Sequence, residues 1–300
     1  MQVLRLHAPL KDYLWGGVRL KTEFHKETDL PLVAESWEVS RHPDGLTTLS
    51  SGETLADYLE RQGLKLPFLV KLIDAEKELS LQVHPTADFC KEHPAAEPKT
   101  ELWYILDAEE NAEIIFGLHE GTTAADLVEA AKSNRLLDYV QKVPVKAGDA
   151  FLIEAGTVHA IGKGIMLAEV QQNSNTTYRL YDYERLDKNG KPRELHLELG
   201  LLAISYAKSP KKVEIEVQNG WRILADTPYF IAAARELDGE CTLNSAAYQT
   251  LTVLSGTAEI AEGAEKMELR QGDTVFIPAN SDITVGGRAH LLLCSPPAKD

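Results

Sequence analysis

The sequence predicts a mainly β protein built from two small barrels or jelly rolls, with a few helices that cover them. Short runs rich in Val, Ile, Leu and Tyr recur along the chain, and Gly, Pro, Asn and Asp separate them. A weak internal repeat also relates the middle of the chain to its end. Recurring short strands and a repeated hairpin are both typical of closed or double-sheet β architectures.

The strand-like runs have the length and residue types of partly or fully buried strands. In the first two thirds of the chain they are SWEVSRHPDG, PFLVKLI, LSLQVHP, ELWYILDA, AEIIFGL, DAFLIEAG, IMLAEVQQ and TTYRLYDY. The last third adds YQTLTVLSGTAEIAEG and LRQGDTVFIPANSDITVGG. We therefore expect strands on both sides of the middle of the chain.

Helical periodicity occurs in three places, and each helix would cap or cover a sheet. The segments are ETLADYLERQG from Glu53, TAADLVEAAKSNRLLDYVQK from Thr123, and RELHLELGLLAISYA from Arg193. The second is interpreted as a helical insert near 123–142, and the third lies close to the expected boundary between the two barrels.

The internal repeat pairs GDAFLIEAGTVHAI, from Gly148, with GDTVFIPANSDITV, from Gly272, at a constant offset. Both copies begin with a Gly-Asp turn and continue into an apolar strand. His159 in the first copy corresponds to Ile283 in the second, so only the first copy keeps a side chain that could do chemistry. We predict a metal-binding catalytic domain at 1–206 and a C-terminal domain without metal ligands at 207–300.

Composition limits the class of partner and the compartment. The formal net charge of -15 argues against a general nucleic-acid binder, because phosphate contacts need an excess of Lys and Arg. The three widely spaced cysteines suggest neither a disulfide framework nor a thiolate zinc site. The first residues lack a signal-type apolar segment, and no apolar stretch has the length of about 18 residues that a membrane span needs. We expect a cytoplasmic protein without a membrane partner.

Four polar residues of these strands form a candidate metal site. Gln82 and His84 are two residues apart in LSLQVHP and therefore share one face of a strand. Glu101 opens an apolar strand, where an unpaired buried carboxylate is costly, and His159 follows a Gly-containing turn. Two imidazoles and a carboxylate suit Zn²⁺, but the same set also suits ferrous iron, so ligand type alone leaves both metals open.

The segment around His159 resembles the second motif of the cupin superfamily, and QVH resembles the first with Gln in place of its first His. The longer pattern closely resembles the type I mannose-6-phosphate isomerases, in particular their short bacterial form. The resemblance runs from Tyr13 to about Leu202, and the last 90 or so residues resemble a second cupin without ligands. The motifs that carry it are YLWGG, AESWEVS, LVKLIDAEKELSLQVHP, KTELWYI, GTVHAIG and EVQQNSNTTYRLYDYER.

This resemblance implies a zinc enzyme, with one ion per chain, that interconverts mannose 6-phosphate and fructose 6-phosphate. By position, the family's metal ligands fall on Gln82, His84, Glu101 and His159. Its catalytic arginine falls on Arg179. The residues that line its substrate pocket fall on Ser80, Lys99, Glu169 and Arg179.

The implied reaction moves a proton between C2 and C1 of an open-chain sugar through an enediol, with no redox cofactor. The base would be Glu169 or a water held by the metal, because a ligating histidine has its lone pair occupied. Arg179 stays protonated at neutral pH, so we expect it to stabilise negative charge, orient the sugar or bind phosphate. Lys99 and Arg185 would add local positive charge.

Two other functions remain open at this point. One is an iron-dependent cupin oxygenase that uses His84, Glu101 and His159. The other is a sugar-binding cupin without turnover. The expected partner is a sugar phosphate, and the expected assembly is a monomer or a homodimer.

Overall fold

The computed structural model describes residues 2–187, 190–207 and 210–297. These residues form mainly β-strands with a few helices, which confirms the predicted fold class. The strands of the first two thirds are β1 (Leu4–His7), β2 (Leu10–Lys11), β3 (Glu35–Val39), β4 (Thr48–Leu49), β5 (Phe68–Ala75), β6 (Leu81–Val83), β7 (Glu101–Ala108), β8 (Glu113–Leu118), β9 (Val140–Pro144), β10 (Ala150–Ile153), β11 (His159–Ala160), β12 (Ile165–Gln172) and β13 (Tyr178–Tyr181). The last third contains β14 (Glu216–Gln218), β15 (Trp221–Asp226), β16 (Ile231–Leu243), β17 (Gln249–Glu262), β18 (Glu265–Arg270), β19 (Thr274–Ile277) and β20 (Ile283–Ser295).

Threonine side chains begin three of the helices. Thr54, Thr86 and Thr123 each accept a hydrogen bond from the backbone N–H three residues later. Thr123 and Asp126 form a reciprocal capping box. The helices are α1 (Arg19–Thr22), α2 (Leu55–Arg61), α3 (Ala87–Glu92), α4 (Ala124–Lys132) and α5 (Leu197–Ala203), with a 3₁₀-helix at Leu136–Tyr139.

All three predicted helices are present, and each is shorter than its periodic segment. Helix α4 ends at Lys132, and Asn134 follows with a φ of 57°, the left-handed conformation that closes many helices. Residues 140–144 belong to strand β9, so the helical insert does not extend to 142. Helix α5 starts only at Leu197, because the backbone N–H of His196 is bound to the carbonyl of Arg179 in β13.

Two antiparallel sheets of the first two thirds pack face to face. The six-stranded sheet has the order β10-β7-β12-β5-β3-β2, and the five-stranded sheet has the order β13-β6-β11-β8-β9. Phe116 of β8 and Phe151 of β10 meet edge to face across the gap, with ring centroids 5.4 Å apart. The two sheets form a cupin-like jelly roll, and they do not close into a continuous barrel.

The last third is organised around a nine-stranded sheet of order β14-β15-β16-β20-β17-β19-β1-β4, with β18 paired to β17. An apolar cluster lines it, and Ile283 is fully buried there. Strand β1 comes from the start of the chain, yet it pairs with β19, with Leu4 opposite Phe276. The first strand of the chain thus belongs to the sheet of the last third. The predicted domain boundary after residue 206 stays a prediction.

The two copies of the internal repeat have the same local structure. Strand β10 begins two residues after Gly148, and strand β19 begins two residues after Gly272. The two glycines have φ values of 87° and 89°, a conformation that only glycine adopts readily. Strands β11 and β20 likewise begin at His159 and Ile283. Both copies therefore have the Gly-Asp turn and the following apolar strand that the sequence indicated.

A buried polar cluster joins the two parts of the molecule. The Glu38 carboxylate, 1% exposed, lies 2.6 Å from Lys26 Nζ and accepts hydrogen bonds from the hydroxyls of Ser36 and Thr274. Thr274 is in β19, whereas Glu38 is in β3. The main apolar core also contains residues from both parts of the chain, so the two parts pack as one unit. Among the described residues, no helix has the length and apolar character needed to span a membrane.

Candidate metal centre

One row of side chains crosses the inner face of the five-stranded sheet. Gln82 in β6 lies opposite His159 in β11 on one side and opposite Arg179 in β13 on the other. Directly opposite residues of antiparallel strands project to the same face. His84 is two residues beyond Gln82, so the chain direction brings it to that face as well.

The inner face of the six-stranded sheet supplies a square of four side chains. Glu101 of β7 lies opposite Gln171 of β12, and Trp103 of β7 lies opposite Glu169 of β12. Lys71 of β5 extends the square, because it lies opposite Glu169 on the other edge of β12. Acidic, amide and ammonium groups thus replace apolar packing over part of this face.

The two faces meet at Glu101. Its Oε2 atom lies 3.2 Å from Nε2 of His84, and its Oε1 atom lies 3.4 Å from Nε2 of His159. One potential ligand atom from each of these residues lies within 4.8 Å of the other two. All three side chains are buried, with at most 1% exposed. The three residues that the sequence predicted as a metal-ligating set are therefore adjacent.

Hydrogen bonds of the two imidazoles fix their orientation. Nδ1 of His84 is 2.9 Å from the carbonyl oxygen of Thr176, and Nδ1 of His159 is 2.8 Å from that of Thr157. A carbonyl only accepts, so each Nδ1 carries the proton and each Nε2 presents a lone pair. Two lone pairs and a carboxylate directed at one point repel each other unless a cation lies between them, so this donor set fits a divalent metal.

Gln82 approaches the same point through its amide. The amide nitrogen lies 3.2 Å from Nε2 of His159. If the side-chain amide is flipped, its carbonyl oxygen faces His84, Glu101 and His159 and could serve as a fourth ligand. The geometry thus brings Gln82 to the metal site.

The ionisation states also suit a metal. Burial, together with the nearby charge of Lys99, lowers the pKa of His84 to about 4, and burial lowers the pKa of His159. Burial opposes ionisation of Glu101, but the ammonium of Lys99, 2.8 Å from Oε2, outweighs it and holds the pKa of Glu101 well below its usual range. At neutral pH the centre contains two neutral imidazoles and one carboxylate.

Lys99 and Glu169 lie beside this centre. Lys99 Nζ is 4.0 Å from Oε1 of Glu169, and Lys71 Nζ is 3.1 Å from the same oxygen. The other oxygen of Glu169 accepts a hydrogen bond of 3.2 Å from the indole N–H of Trp103. Ser80, two residues before Gln82, is 4% exposed. Lys99 and Glu169 are therefore buried beside the cluster of His84, Glu101 and His159, and Ser80 is buried two residues before Gln82.

Arg179 is half-buried at the edge of the five-stranded sheet. Its NH1 donates 2.7 Å to the carbonyl of Glu194, while its Nε has no hydrogen-bond partner. Burial lowers its pKa, and the guanidinium groups of Arg193 and Arg185 lower it further. Those two arginines both pair with Asp182, so the residues after β13 concentrate positive charge near Arg179.

Sequence reasoning missed three residues of the site. Lys71 has only 5% of its surface exposed and lies between Glu169 and Glu35, whose carboxylates raise its pKa despite the opposing effect of burial. Trp103 orients Glu169, and Gln171 completes the square. A signal existed for Lys71, because a lysine inside the apolar run FLVKLIDA must find an acidic partner once the strand is buried.

Unmet hydrogen-bonding capacity is concentrated at this site. Seven buried side-chain polar atoms of the described residues make no hydrogen bond, and six of them belong to the two inner faces. Two of the six, Glu101 Oε2 and Glu169 Oε1, still face a lysine ammonium at 2.8 Å and 3.1 Å. Since buried polar groups are normally satisfied, such a cluster indicates a place where a metal and a ligand complete the bonding. The six atoms are His84 Nε2, Glu101 Oε1 and Oε2, Glu169 Oε1, Gln171 Oε1 and Arg179 Nε.

Comparisons with known proteins identify the family of this chain. Residues 3–127 match the family described as phosphomannose isomerase type I, catalytic domain, and residues 223–296 match the mannose-6-phosphate isomerase cupin domain. The mannose-6-phosphate isomerase of Streptococcus mutans is 35% identical over 291 residues, which cover 92% of each chain.

Solved structures have the same fold. The crystal structure of the mannose 6-phosphate isomerase from Bacillus subtilis matches 98% of this chain and 99% of its own, with a TM-score of 0.91 and 30% identity. A zinc-bound mannose 6-phosphate isomerase has a TM-score of 0.82 at 18% identity, covering 99% of this chain and 100% of its own, and at that identity the likeness concerns the fold alone. From the matches over both parts of its sequence, this chain belongs to the type I phosphomannose isomerase family.

Proposed function

We infer that this chain is an aldose-ketose isomerase that interconverts mannose 6-phosphate and fructose 6-phosphate through an enediol. The observation that carries the inference is the buried cluster of His84, Glu101 and His159, in a chain that belongs to the phosphomannose isomerase family over most of its length. The reaction transfers one proton between adjacent carbons, so it needs a base, groups that stabilise an oxyanion, and residues that bind the phosphate.

We propose one Zn²⁺ per chain, held by His84, Glu101, His159 and Gln82. The converging Nε2 atoms and the ionised carboxylate are the donor types that zinc accepts, and zinc needs no redox chemistry for this reaction. When bound, the ion would act as a Lewis acid that stabilises negative charge on the substrate oxygens. The role of the protein is to hold these ligands rigidly and out of water, which their burial achieves.

Glu169 is the proposed base. Its Oε2 is held by the indole of Trp103, whereas its Oε1 faces the ammonium of Lys71. Lys71 and Lys99 place positive charge beside that oxygen, at 3.1 Å and 4.0 Å.

The substrate-binding role is assigned to Ser80, Lys99 and Arg179. The net charge of -15 would repel a phosphate from most of the surface, so local cations have to bind it. Arg179 lies opposite Gln82 in the neighbouring strand, and Arg185 and Arg193 add positive charge beside it. A guanidinium can bind phosphate through two parallel hydrogen bonds, and Nε of Arg179 is available for one of them. We propose that it binds and orients the sugar phosphate.

The compartment and the assembly are part of the same proposal. The cysteines of the described residues, Cys90, Cys241 and Cys294, are all unpaired, as is usual in the cytoplasm. We propose a cytoplasmic enzyme that acts as a monomer or a homodimer.

A coupled assay tests the function directly. Formation of fructose 6-phosphate from mannose 6-phosphate would be measured on the purified protein, after chelation, and after restoration of zinc. We expect activity to disappear on chelation and to return with zinc. Oxygen uptake restored by ferrous iron would instead favour an oxygenase, and sugar-phosphate binding without turnover in the zinc-loaded protein would favour a binding protein.

A further inference from the structure

Gln171 is a buried residue of the site that is neither a proposed metal ligand nor the proposed base. It is fully buried in β12, directly opposite the metal-ligating Glu101 and two residues beyond Glu169. It therefore projects from the same inner face as both carboxylates. The sequence alone indicates no role for Gln171, because the doublet QQ at the end of a strand matches no known spacing of ligand or catalytic residues.

The hydrogen bonds of its amide determine which atom remains free. The amide nitrogen donates 2.8 Å to the carbonyl oxygen of Gln172 and 2.6 Å to that of Ser174. Carbonyl oxygens only accept, so the –NH₂ group must face them. Oε1 is consequently the atom without a partner, and its orientation is set by two hydrogen bonds at the other end of the amide.

Two donors of the site are bound to the neighbouring carboxylates. Lys99 Nζ lies 2.8 Å from Glu101, and the indole N–H of Trp103 is bound to Glu169. A buried acceptor without a donor is costly, so a site that keeps one often has an external donor for it. A hydroxyl or an N–H of a ligand would be such a donor.

We propose that Gln171 is a substrate-binding residue, whose Oε1 accepts a hydrogen bond from a hydroxyl of the open-chain sugar phosphate. This inference rests on the proposed isomerase function, since a sugar phosphate supplies several hydroxyl donors and a phosphate does not. The hydroxyl at C3 is the first candidate, because it is next to the reacting carbons and Gln171 is next to the metal-ligating Glu101.

The adjacent Gln172 provides a matched control. It faces away from the inner side, is half-buried, and its Oε1 accepts a hydrogen bond of 2.9 Å from the backbone N–H of Thr100. Gln171→Met and Gln172→Met each remove one amide of the same size from the same strand. Only the first removes an acceptor from the site.

The test compares substrates that lack single hydroxyls. Zinc-loaded wild type and both variants would be assayed with mannose 6-phosphate and with its 3-deoxy and 4-deoxy analogues. We expect Gln171→Met to lower kcat/KM for mannose 6-phosphate about tenfold, the size of one neutral hydrogen bond. The loss should shrink to about twofold or less with the analogue that lacks the bound hydroxyl, and Gln172→Met should respond to all three as wild type does.

A binding measurement separates this inference from the function itself. Calorimetry with mannitol 6-phosphate, an open-chain polyol phosphate that cannot isomerise, should show a weaker Kd for Gln171→Met by a similar factor. An inactive wild type would contradict the isomerase proposal, while a Kd that still differs between the two proteins would support the role of Gln171. An active wild type with an unaffected Gln171→Met, or a loss of the same size for every analogue, would overturn the inference.

A variant that fails to fold would not leave the question open. Wild-type protein alone can be titrated with mannitol 6-phosphate and with its 3-deoxy and 4-deoxy forms. Equal affinity for all three would overturn the proposal, and a loss of affinity for one of them would support it.

Discussion

Gln82 lies directly opposite His159 across the β6–β11 pair, with its amide nitrogen 3.2 Å from Nε2 of that histidine. A residue so placed either ligates the ion itself or fixes the imidazole that does. In both cases its removal should loosen the metal without destroying the site, because His84, Glu101 and His159 remain.

We therefore predict that Gln82→Leu weakens zinc binding about 10-fold to 100-fold, within the range for groups that support metal ligands. His84→Ala should weaken it far more, since it removes a direct ligand. Competition with a chromophoric chelator measures both affinities. His119→Ala, a change at an exposed histidine, serves as the control. A zinc affinity of Gln82→Leu equal to that of wild type would show that Gln82 does not contribute to zinc binding.

Arg179→Lys should lower kcat/KM about 100-fold, the cost of losing one oriented donor to developing charge. Lysine keeps the positive charge but lacks the planar pair of donors that a guanidinium offers. The zinc content should be unchanged, because Arg179 contributes no ligand atom. Arg235→Lys, which changes an arginine bound to the carbonyl of Asn219, is the matched control. Full activity in Arg179→Lys would mean that charge alone suffices.

The metal-free protein should lose stability as the pH falls from about 6.5 toward about 4. His84 has a folded-state pKa of about 4 against a reference value of 6.5, so between these values the unfolded chain binds a proton that the folded chain excludes. This contribution to stability is fully present above pH 6.5 and declines as the pH falls through the window. His159, whose pKa is also lowered, acts in the same direction.

Urea denaturation of chelated protein at several pH values measures this dependence. His84→Gln should show a shallower decline over the same window, because a neutral amide has no proton to exclude. Identical pH profiles for the two proteins would contradict a buried neutral imidazole at this position.

Glu38→Gln should destabilise the whole molecule by about 3 kcal/mol, the usual cost of leaving one member of a buried ion pair alone. Lys26, 13% exposed, would keep its charge next to a neutral amide at the junction of β3 and β19. Lys266→Gln breaks the exposed pair with Glu259 and should leave the free energy of unfolding nearly unchanged. Chemical denaturation compares them, and equal losses would mean that the cluster of Glu38 does not join the two parts.

Several parts of the site could be predicted from local sequence. The alternation in LSLQVHP assigned Gln82 and His84 to one face, and the Gly-containing turn before His159 indicated the start of a strand there, because strand period and turn chemistry are local properties. Helix ends were less predictable. The periodic segment from Thr123 continues past Lys132, but Asn134 adopts the left-handed conformation and the chain then enters β9.

The strand content, the repeat, the ligand types and the family of this protein could all be inferred from its sequence. Which residues meet depends on the folded chain: Glu101 lies opposite Gln171, Lys71 opposite Glu169, and β1 beside β19. These contacts depend on the register between strands far apart in the chain, and register follows from packing of whole sheet faces. The role of Gln171 became visible only there, because an unpaired acceptor is a property of its surroundings.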